Sequence, residues 1–285
     1  MSHPLATLPP SLDNGDDTAH LYCYGVDEAG RGCLAGPVVA AIVLFPPQTA
    51  WENLAGLNDS KKLSATKRMA LVPHILREAS AYGIGLSWQK EVDEVNIINA
   101  TFRAMCRAFI HMERRFSPLP HAPVYIDGNL PVRLTAWEAC TRVPPHHWHT
   151  PYFPEGFPLS PSKTIESPLP PLCEEDVHSP CLQQPLDGEQ NNKNPIFPFQ
   201  NQQPLIGGDG LIASISAASI LAKTTRDALM VRLDRFFPHY GFAQHKGYGT
   251  KHHREALLRH GPCPLHRHSF IQKILLPEQQ LSLFQ

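Results

Sequence analysis

Asp27 and Glu28 stand side by side, one residue ahead of Gly30-Arg31-Gly32. Carboxylates bind hard cations and exchange protons with hydroxyls, while glycines permit tight backbone geometry and leave peptide N–H groups uncovered. An acid pair beside bare backbone donors suits hydroxyls, phosphates and metal ions. On these residues alone, a surface acid pair at an ordinary glycine turn is the plainer reading. Two more acids sit at structural punctuation. Asp127, in Asp127-Gly128-Asn129, reads as a turn residue; Asp209, after Gly207-Gly208, reads as an acid facing the dipole of a following helix. Cys263, His266 and His268 fall close together in a chain with 16 histidines, but their spacing matches no strong zinc pattern.

These groups need elements to hold them. Residues 38–43 are apolar and β-branched, which predicts a strand over residues 37–45, paired as a hairpin with residues 22–27 around the glycine-rich turn. Ser64 predicts an N-cap for a helix running toward Ala79, with Pro73 an unfavourable residue inside it. Residues 81–88 predict a strand, and residues 123–127 a short one that delivers Asp127 at its end. Val95, Ile98, Phe102, Met105, Phe109 and Met112 recur at steps of three and four, the spacing of a helix over residues 91–112. Helices are also predicted over residues 214–236 and 250–260, the second capped by Thr250. This order of elements implies one α/β domain with a mixed sheet.

Residues 144–204 break the pattern. They hold 14 of the chain's 29 prolines and polar runs such as Gln190-Asn191-Asn192-Lys193-Asn194, without apolar periodicity. Missing donors and restricted φ angles predict a long, largely disordered insertion. The expected organisation is a disordered lead-in over 1–20, a domain made of 21–143 and 205–273, the Pro-rich insertion 144–204, and a tail over 274–285. The chain has 285 residues, 42% of them hydrophobic, enough for a sizeable core, and a formal net charge of −1. The insertion carries two bases and seven acids, which leaves 23 bases against 19 acids elsewhere. That mildly basic remainder is compatible with phosphate contact. The 7 cysteines are an odd number without dense spacing, so reduced, mostly buried thiols are expected. Residues 1–20 lack a basic start followed by an apolar stretch, and residues 38–45 are too short to cross a bilayer. A soluble cytoplasmic protein is expected.

Six ordered segments resemble ribonuclease HII. The first is residues 24–45, with Asp27, Glu28 and Gly30-Arg31-Gly32. Then come Asp59-Ser60-Lys61-Lys62-Leu63, the helix bearing Asp93-Glu94-Val95-Asn96-Ile97, and Tyr125-Ile126-Asp127-Gly128-Asn129. The fifth runs from Gly207-Gly208-Asp209 through Ser216-Ala217-Ala218-Ser219-Ile220-Leu221-Ala222-Lys223 to Arg226-Asp227. The last is His245-Lys246-Gly247-Tyr248-Gly249-Thr250, with Gly261-Pro262 and His266-Arg267-His268-Ser269-Phe270 behind it. The match covers residues 22–135 and 205–271.

The resemblance implies a ribonuclease H-like mixed sheet flanked by helices, with a C-terminal helical segment. It implies four clustered carboxylates, Asp27, Glu28, Asp127 and Asp209, serving catalysis and binding Mg²⁺ or Mn²⁺. Such ions, about 3.5–4 Å apart, can activate water and stabilise the leaving oxygen of a phosphodiester. It assigns reading of the 2′-hydroxyl, the group that separates RNA from DNA, to the backbone of Gly30, Arg31 and Gly32 and to Tyr248. Lys61, Lys62, Lys223 and Lys246 become candidate phosphate contacts; Lys223, inside an apolar helix, could equally bridge to a catalytic carboxylate.

The activity implied is an endonuclease cutting the RNA strand of RNA/DNA hybrids and the 5′ side of ribonucleotides embedded in duplex DNA. Its products carry 3′-hydroxyl and 5′-phosphate ends. A catalytically weak hybrid-binding protein of the same fold is the alternative, supported by a departure after Asp209: Gly210-Leu211-Ile212-Ala213 stands where the family usually has a lysine and small polar residues. The sister enzyme ribonuclease HIII carries an additional N-terminal domain for which residues 1–20 are too few. A monomer is expected. Finally, Gln280-Leu281-Ser282-Leu283-Phe284 resembles the peptide with which bacterial repair proteins dock onto the polymerase sliding clamp. Gln280 would be its polar anchor, and Leu281, Leu283 and Phe284 its apolar part; a tail packed on its own domain is the plainer alternative.

Overall fold

The computed structural model describes residues 22–57, 63–141 and 197–275. The lead-in, Lys61 and Lys62, residues 142–196 of the insertion, and the tail with Gln280, Leu281, Leu283 and Phe284 lie outside the described residues.

Five strands form one mixed sheet in the order β3-β2-β1-β4-β5. β1 (Tyr24–Ala29), β2 (Val38–Leu44) and β3 (Ala81–Ser87) form an antiparallel meander. β4 (Val124–Asp127) lies parallel to β1, and β5 (Gln202–Leu205) parallel to β4. Alternation along the strands gives each face its own core. Tyr24, Val26, Ala40 and Ile42 pack with Phe102, Met105 and Met112 of α2 (Gln89–Phe116). Val39, Ala41 and Val43 pack with Val72 and Ile75 of α1 (Ala65–Glu78) and with Ala217, Ala218 and Leu221 of α4 (Ala213–Asp234). α3 (Leu134–Thr141) follows β4. Beyond α4 come the single turn α5 (Phe242–His245), α6 (Lys251–His260) and α7 (His268–Leu275).

Ser64 caps α1 by accepting the Lys67 N–H, and the helix accommodates Pro73. Thr250 caps α6 by accepting from His253 N at 3.3 Å. Three expectations change. The predicted helix over 91–112 runs over Gln89–Phe116, broken at Asn96 (φ 66°, ψ 165°). There Asn96 Oδ1 accepts from Ile98 N at 3.0 Å and Asn99 N at 3.1 Å, capping the second half of the helix. The insertion does not run unstructured to residue 204. Phe199 is buried in the α2-side core, and Gln202–Leu205 form β5. Pro204 is tolerated because, among the described residues, β5 pairs only with β4, and its missing N–H lies on the side away from β4. The tail cannot start at 274, since α7 continues to Leu275.

Candidate active site

β1 and β4 are parallel neighbours with Val26 opposite Ile126, so the next residue on each, Asp27 and Asp127, arrives at the same end of the sheet. The carboxyl ends of parallel strands are where open α/β sheets present ligand sites. β5 ends one strand over at Leu205, and Gly207 (φ 69°) then turns the chain into a 3₁₀ turn over Gly208–Gly210 that carries Asp209. One carboxylate oxygen each from Asp27, Asp127 and Asp209 lies within 4.8 Å of the others, and Asp27 and Asp209 are buried. Asp209 thus joins the cluster from a turn ahead of α4, not from the first turn of that helix.

Neighbouring groups aim these acids. Ser219 of α4 and the Glu28 N–H, at 2.7 Å, hydrogen-bond Asp27. The Gly208 N–H donates to Asp127 Oδ1 at 2.8 Å. α4 can supply Ser219 because Gly25 lets it approach β1 closely; a Cβ there would stand 2.1 Å from the Ser214 carbonyl carbon. Burial, then the charges of Glu28 and Asp127, push the Asp27 carboxyl above the usual range, against its hydrogen bonds to Ser219 and the Glu28 N–H. The residues after Asp209 have a packing role: Leu211 and Ile212 lie against Cys23, Tyr125 and Ile215.

Glu28 is not in the trio. Successive strand residues point to opposite faces, so with Asp27 directed at α4, Glu28 faces the α2 side. It pairs with Arg31 at 3.2 Å and, with Arg31, Thr101, Phe102, Asp127 and Asn129, lines a small adjoining pocket. It borders the cluster from the other side of the strand.

Gly30 has φ +95°, and a Cβ there would stand 2.0 Å from Arg226 Nε, so glycine is required twice over. Gly32 and Arg31 are exposed. Tyr248 is 42% exposed, with its hydroxyl against the Cys33 thiol beneath the glycine-rich loop. The Lys223 ammonium lies 5.3 Å from the Tyr248 ring centroid and bonds Asp227 at 2.8 Å. It therefore pairs within its own helix, and the bridge to a catalytic carboxylate is not formed. Lys246 folds back, its Nζ donating to the Ala243 carbonyl. The Cys263–His266–His268 group does not converge on a metal. His266 accepts from Cys263 N at 2.9 Å and meets His253 at 3.1 Å, and the aspartate trio is the metal-competent group found among the described residues.

Sequence reasoning assigned no role to Ser219, Arg226 or Arg267. Arg226 and Arg267 are completely buried, and no local pattern marks them: Arg226 stands among Lys223, Thr224, Thr225 and Asp227, like a surface arginine.

The comparisons follow the same outline. The family described as Ribonuclease HII matches residues 24–140 and 186–273. The ribonuclease HII of Nitratidesulfovibrio vulgaris is 39% identical over 283 residues, covering 99% of this chain and 96% of that one. That of Syntrophotalea carbinolica is 40% identical over 246 residues, covering 86% and 83%. Among solved structures, ribonuclease H2 from Pyrococcus horikoshii aligns with a TM-score of 0.52 at 20% identity, covering 89% and 96% of the two chains. The Archaeoglobus fulgidus ribonuclease HII, solved as a complex with PCNA, aligns at 0.53 and 18%, covering 90% and 98%. Bst-RNase HIII in complex with Mn²⁺ aligns at 0.54 and 14%, covering 90% and 65%. At these identities the structures share the fold.

Proposed function

The chain belongs to the ribonuclease HII family and cleaves RNA/DNA hybrids endonucleolytically with a divalent metal; from that premise we propose how its own residues do so. Asp27, Asp127 and Asp209 would hold the metal, with Glu28 contributing from the other side of β1. The observation that carries this is the convergence of three carboxylate oxygens within 4.8 Å at the carboxyl ends of parallel strands. Hard oxygen donors suit Mg²⁺ and Mn²⁺. Ions bound there supply an activated water for the phosphodiester and charge stabilisation for the leaving oxygen.

The remaining roles belong to the protein alone. Ser219 and the Gly208 N–H keep Asp27 and Asp127 in fixed orientations. Gly30, Arg31, Gly32 and Tyr248 read the ribose, and cleavage falls 5′ of the ribonucleotide, leaving 3′-hydroxyl and 5′-phosphate ends. Lys61, Lys62, Lys223 and Lys246 position the duplex through its phosphates, Lys223 while paired to Asp227. The enzyme acts as a cytoplasmic monomer, and Gln280, Leu281, Leu283 and Phe284 tether it to the sliding clamp. The family's capacity for such a partner is supported by the PCNA complex of the Archaeoglobus fulgidus relative.

The test is a DNA duplex with one embedded ribonucleotide, incubated with Mg²⁺, Mn²⁺ or chelator. A nick 5′ of the ribonucleotide, present with metal and absent with chelator, is expected. Tight binding without a nick would instead establish a hybrid-binding protein.

A further inference from the structure

Arg226 and Arg267 are both completely buried. Every hydrogen bond they make among the described residues ends on a main-chain carbonyl. A buried guanidinium facing dipoles instead of a carboxylate is an expensive way to stabilise a fold. Burial and the charge of Arg226 pull the Arg267 pKa down to about 10. Its Nη2 is buried with no partner among the described residues. What the two side chains hold is therefore informative.

Both hold the backbone of the glycine-rich loop. Arg226 donates to Pro37 O at 2.9 Å and Ala35 O at 3.1 Å, and also to Lys246 O at 2.8 Å, beside Tyr248. Arg267 donates to Gly36 O at 3.0 Å and Arg31 O at 2.9 Å. The last bond has a stereochemical consequence. The Arg31–Gly32 peptide is trans, and in a trans peptide the C=O and the following N–H point in opposite directions. With the Arg31 carbonyl drawn inward to a buried guanidinium, the Gly32 N–H is turned outward. Gly32 is exposed, and no heavy atom comes within 4 Å of where its Cβ would stand. The outer side of this peptide is thus exposed, next to the Arg31–Glu28 pair.

We infer that Arg267 is a positioning residue for ribose discrimination: it orients the Arg31–Gly32 peptide so that the Gly32 N–H donates to the substrate's 2′-hydroxyl. Arg226 fixes that loop relative to Tyr248, joining the two ribose-facing segments into one unit. This rests on the reading that Gly30, Arg31 and Gly32 contact the ribose, and the experiment separates the two.

The full chain, labelled with ¹⁵N-glycine, is titrated in EDTA with a DNA duplex carrying one ribonucleotide and with its all-DNA counterpart. The Gly32 resonance is assigned by its loss in Gly32→Ala. In the wild type it moves with the ribonucleotide duplex and not with the all-DNA one. Arg267→Lys keeps the charge but not the fork that reaches two carbonyls. In it the ribonucleotide-specific shift falls by at least half, and the ribo-over-deoxy affinity ratio drops about 5-fold, as expected for one lost hydrogen bond. All-DNA affinity stays within about twofold, because phosphate contacts are untouched. Equal weakening of both duplexes with the Gly32 shift intact would reduce Arg267 to packing and overturn the inference. A wild-type Gly32 resonance that ignores the ribonucleotide would overturn the ribose-contact reading and the inference with it. If Arg267→Lys does not fold, Phe270→Leu removes the ring 5.3 Å beneath the guanidinium. The same two readouts must then move in the same direction, and unchanged values overturn the inference.

Discussion

His253 Nε2 and His266 Nε2 lie 3.1 Å apart in the interior, and only one of them carries a proton. His253 Nδ1 faces the Tyr248 carbonyl at 2.9 Å and must donate to it, leaving Nε2 an acceptor. His266 Nδ1 accepts from Cys263 N at 2.9 Å, so its Nε2 donates. One tautomer of each ring satisfies the whole chain of bonds, and it supports the loop that presents Tyr248.

Burial pushes both imidazole pKa values down to about 4, helped at His253 by the neighbouring His245 and His252 and at His266 by His253. Between pH 6.5 and 4 the unfolded chain takes up protons that the folded pair refuses. Stability is then fully present above about 6.5 and drains away as pH falls toward 4. The unfolding midpoint at pH 5 should lie roughly 5–10 °C below that at pH 7.5. His266→Gln, which keeps a donor toward His253, should flatten the profile. A slope as steep as the wild type's would assign the pH dependence to other groups.

Asp27→Asn should abolish cleavage and, without metal, raise stability. The buried Asp27 carboxylate faces like charges at 4.8 Å or less, and its raised pKa means the folded state loses stability as pH rises through it. Removing that charge should stabilise the metal-free protein by roughly 1–3 kcal/mol. Calorimetry with and without Mn²⁺ tests this: metal should raise the wild-type midpoint and leave the variant nearly unmoved. A metal-free Asp27→Asn protein less stable than wild type would mean the carboxylate is structurally required.

Tyr248→Phe should depress cutting at a single ribonucleotide more than cutting of a long hybrid. Its exposed ring stays supported by Lys223 and Arg226, so the variant loses the hydroxyl alone. A drop of about 5–10-fold in relative kcat/KM corresponds to one hydrogen bond. Equal losses on both substrates would place Tyr248 in general catalysis or packing.

Asp93→Ala should lower stability by roughly 1–2 kcal/mol, the worth of a helix N-cap. Asp93, on α2, accepts from His268 N at 2.8 Å and Ser269 N at 2.9 Å, capping α7 from another element. Equilibrium denaturation measures the loss, and Asp93→Asn should recover most of it.

Phe199→Ala should cost roughly 3–5 kcal/mol, as expected for emptying a fully buried aromatic site. Phe199 packs near Phe109 at 6.0 Å between ring centroids. A deletion running from residue 151 to 203 would remove this ring and half of β5, so it should unfold the protein. A soluble, wild-type-stable deletion would make residues 197–203 dispensable.

Where packing follows local pattern, the sequence sufficed. The apolar run of β2, the three-and-four spacing of α2 and the capping residues Ser64 and Thr250 appear where expected. What escaped depends on distant partners. β5 is four residues, Gln-Gln-Pro-Leu, and becomes a strand only because β4 offers it an edge. α3 was missed, although Leu134, Trp137 and Cys140 stand at helical spacing. Convergence of Asp127 and Asp209 came from resemblance, since no spacing rule links positions so far apart. The separation of Asp27 from Glu28 was readable in principle, because adjacent residues of a strand cannot face the same side. The two buried arginines were hidden, as sequence does not distinguish an interior guanidinium from a surface one.

The sheet topology also sets a timetable. β1, β2, β3 and α2 are contiguous and can assemble from local contacts, whereas α4 must return from beyond residue 212 to meet β1 at Gly25. Such long-range closures come late and slowly. A chain synthesised as far as Thr141 already holds Asp27, Glu28 and Asp127 but lacks Asp209, Ser219 and Tyr248. The proposed nuclease centre is thus complete only once the segment from Asp209 to Tyr248 has been synthesised and docked, and chains that stop short of it carry no complete cutting site.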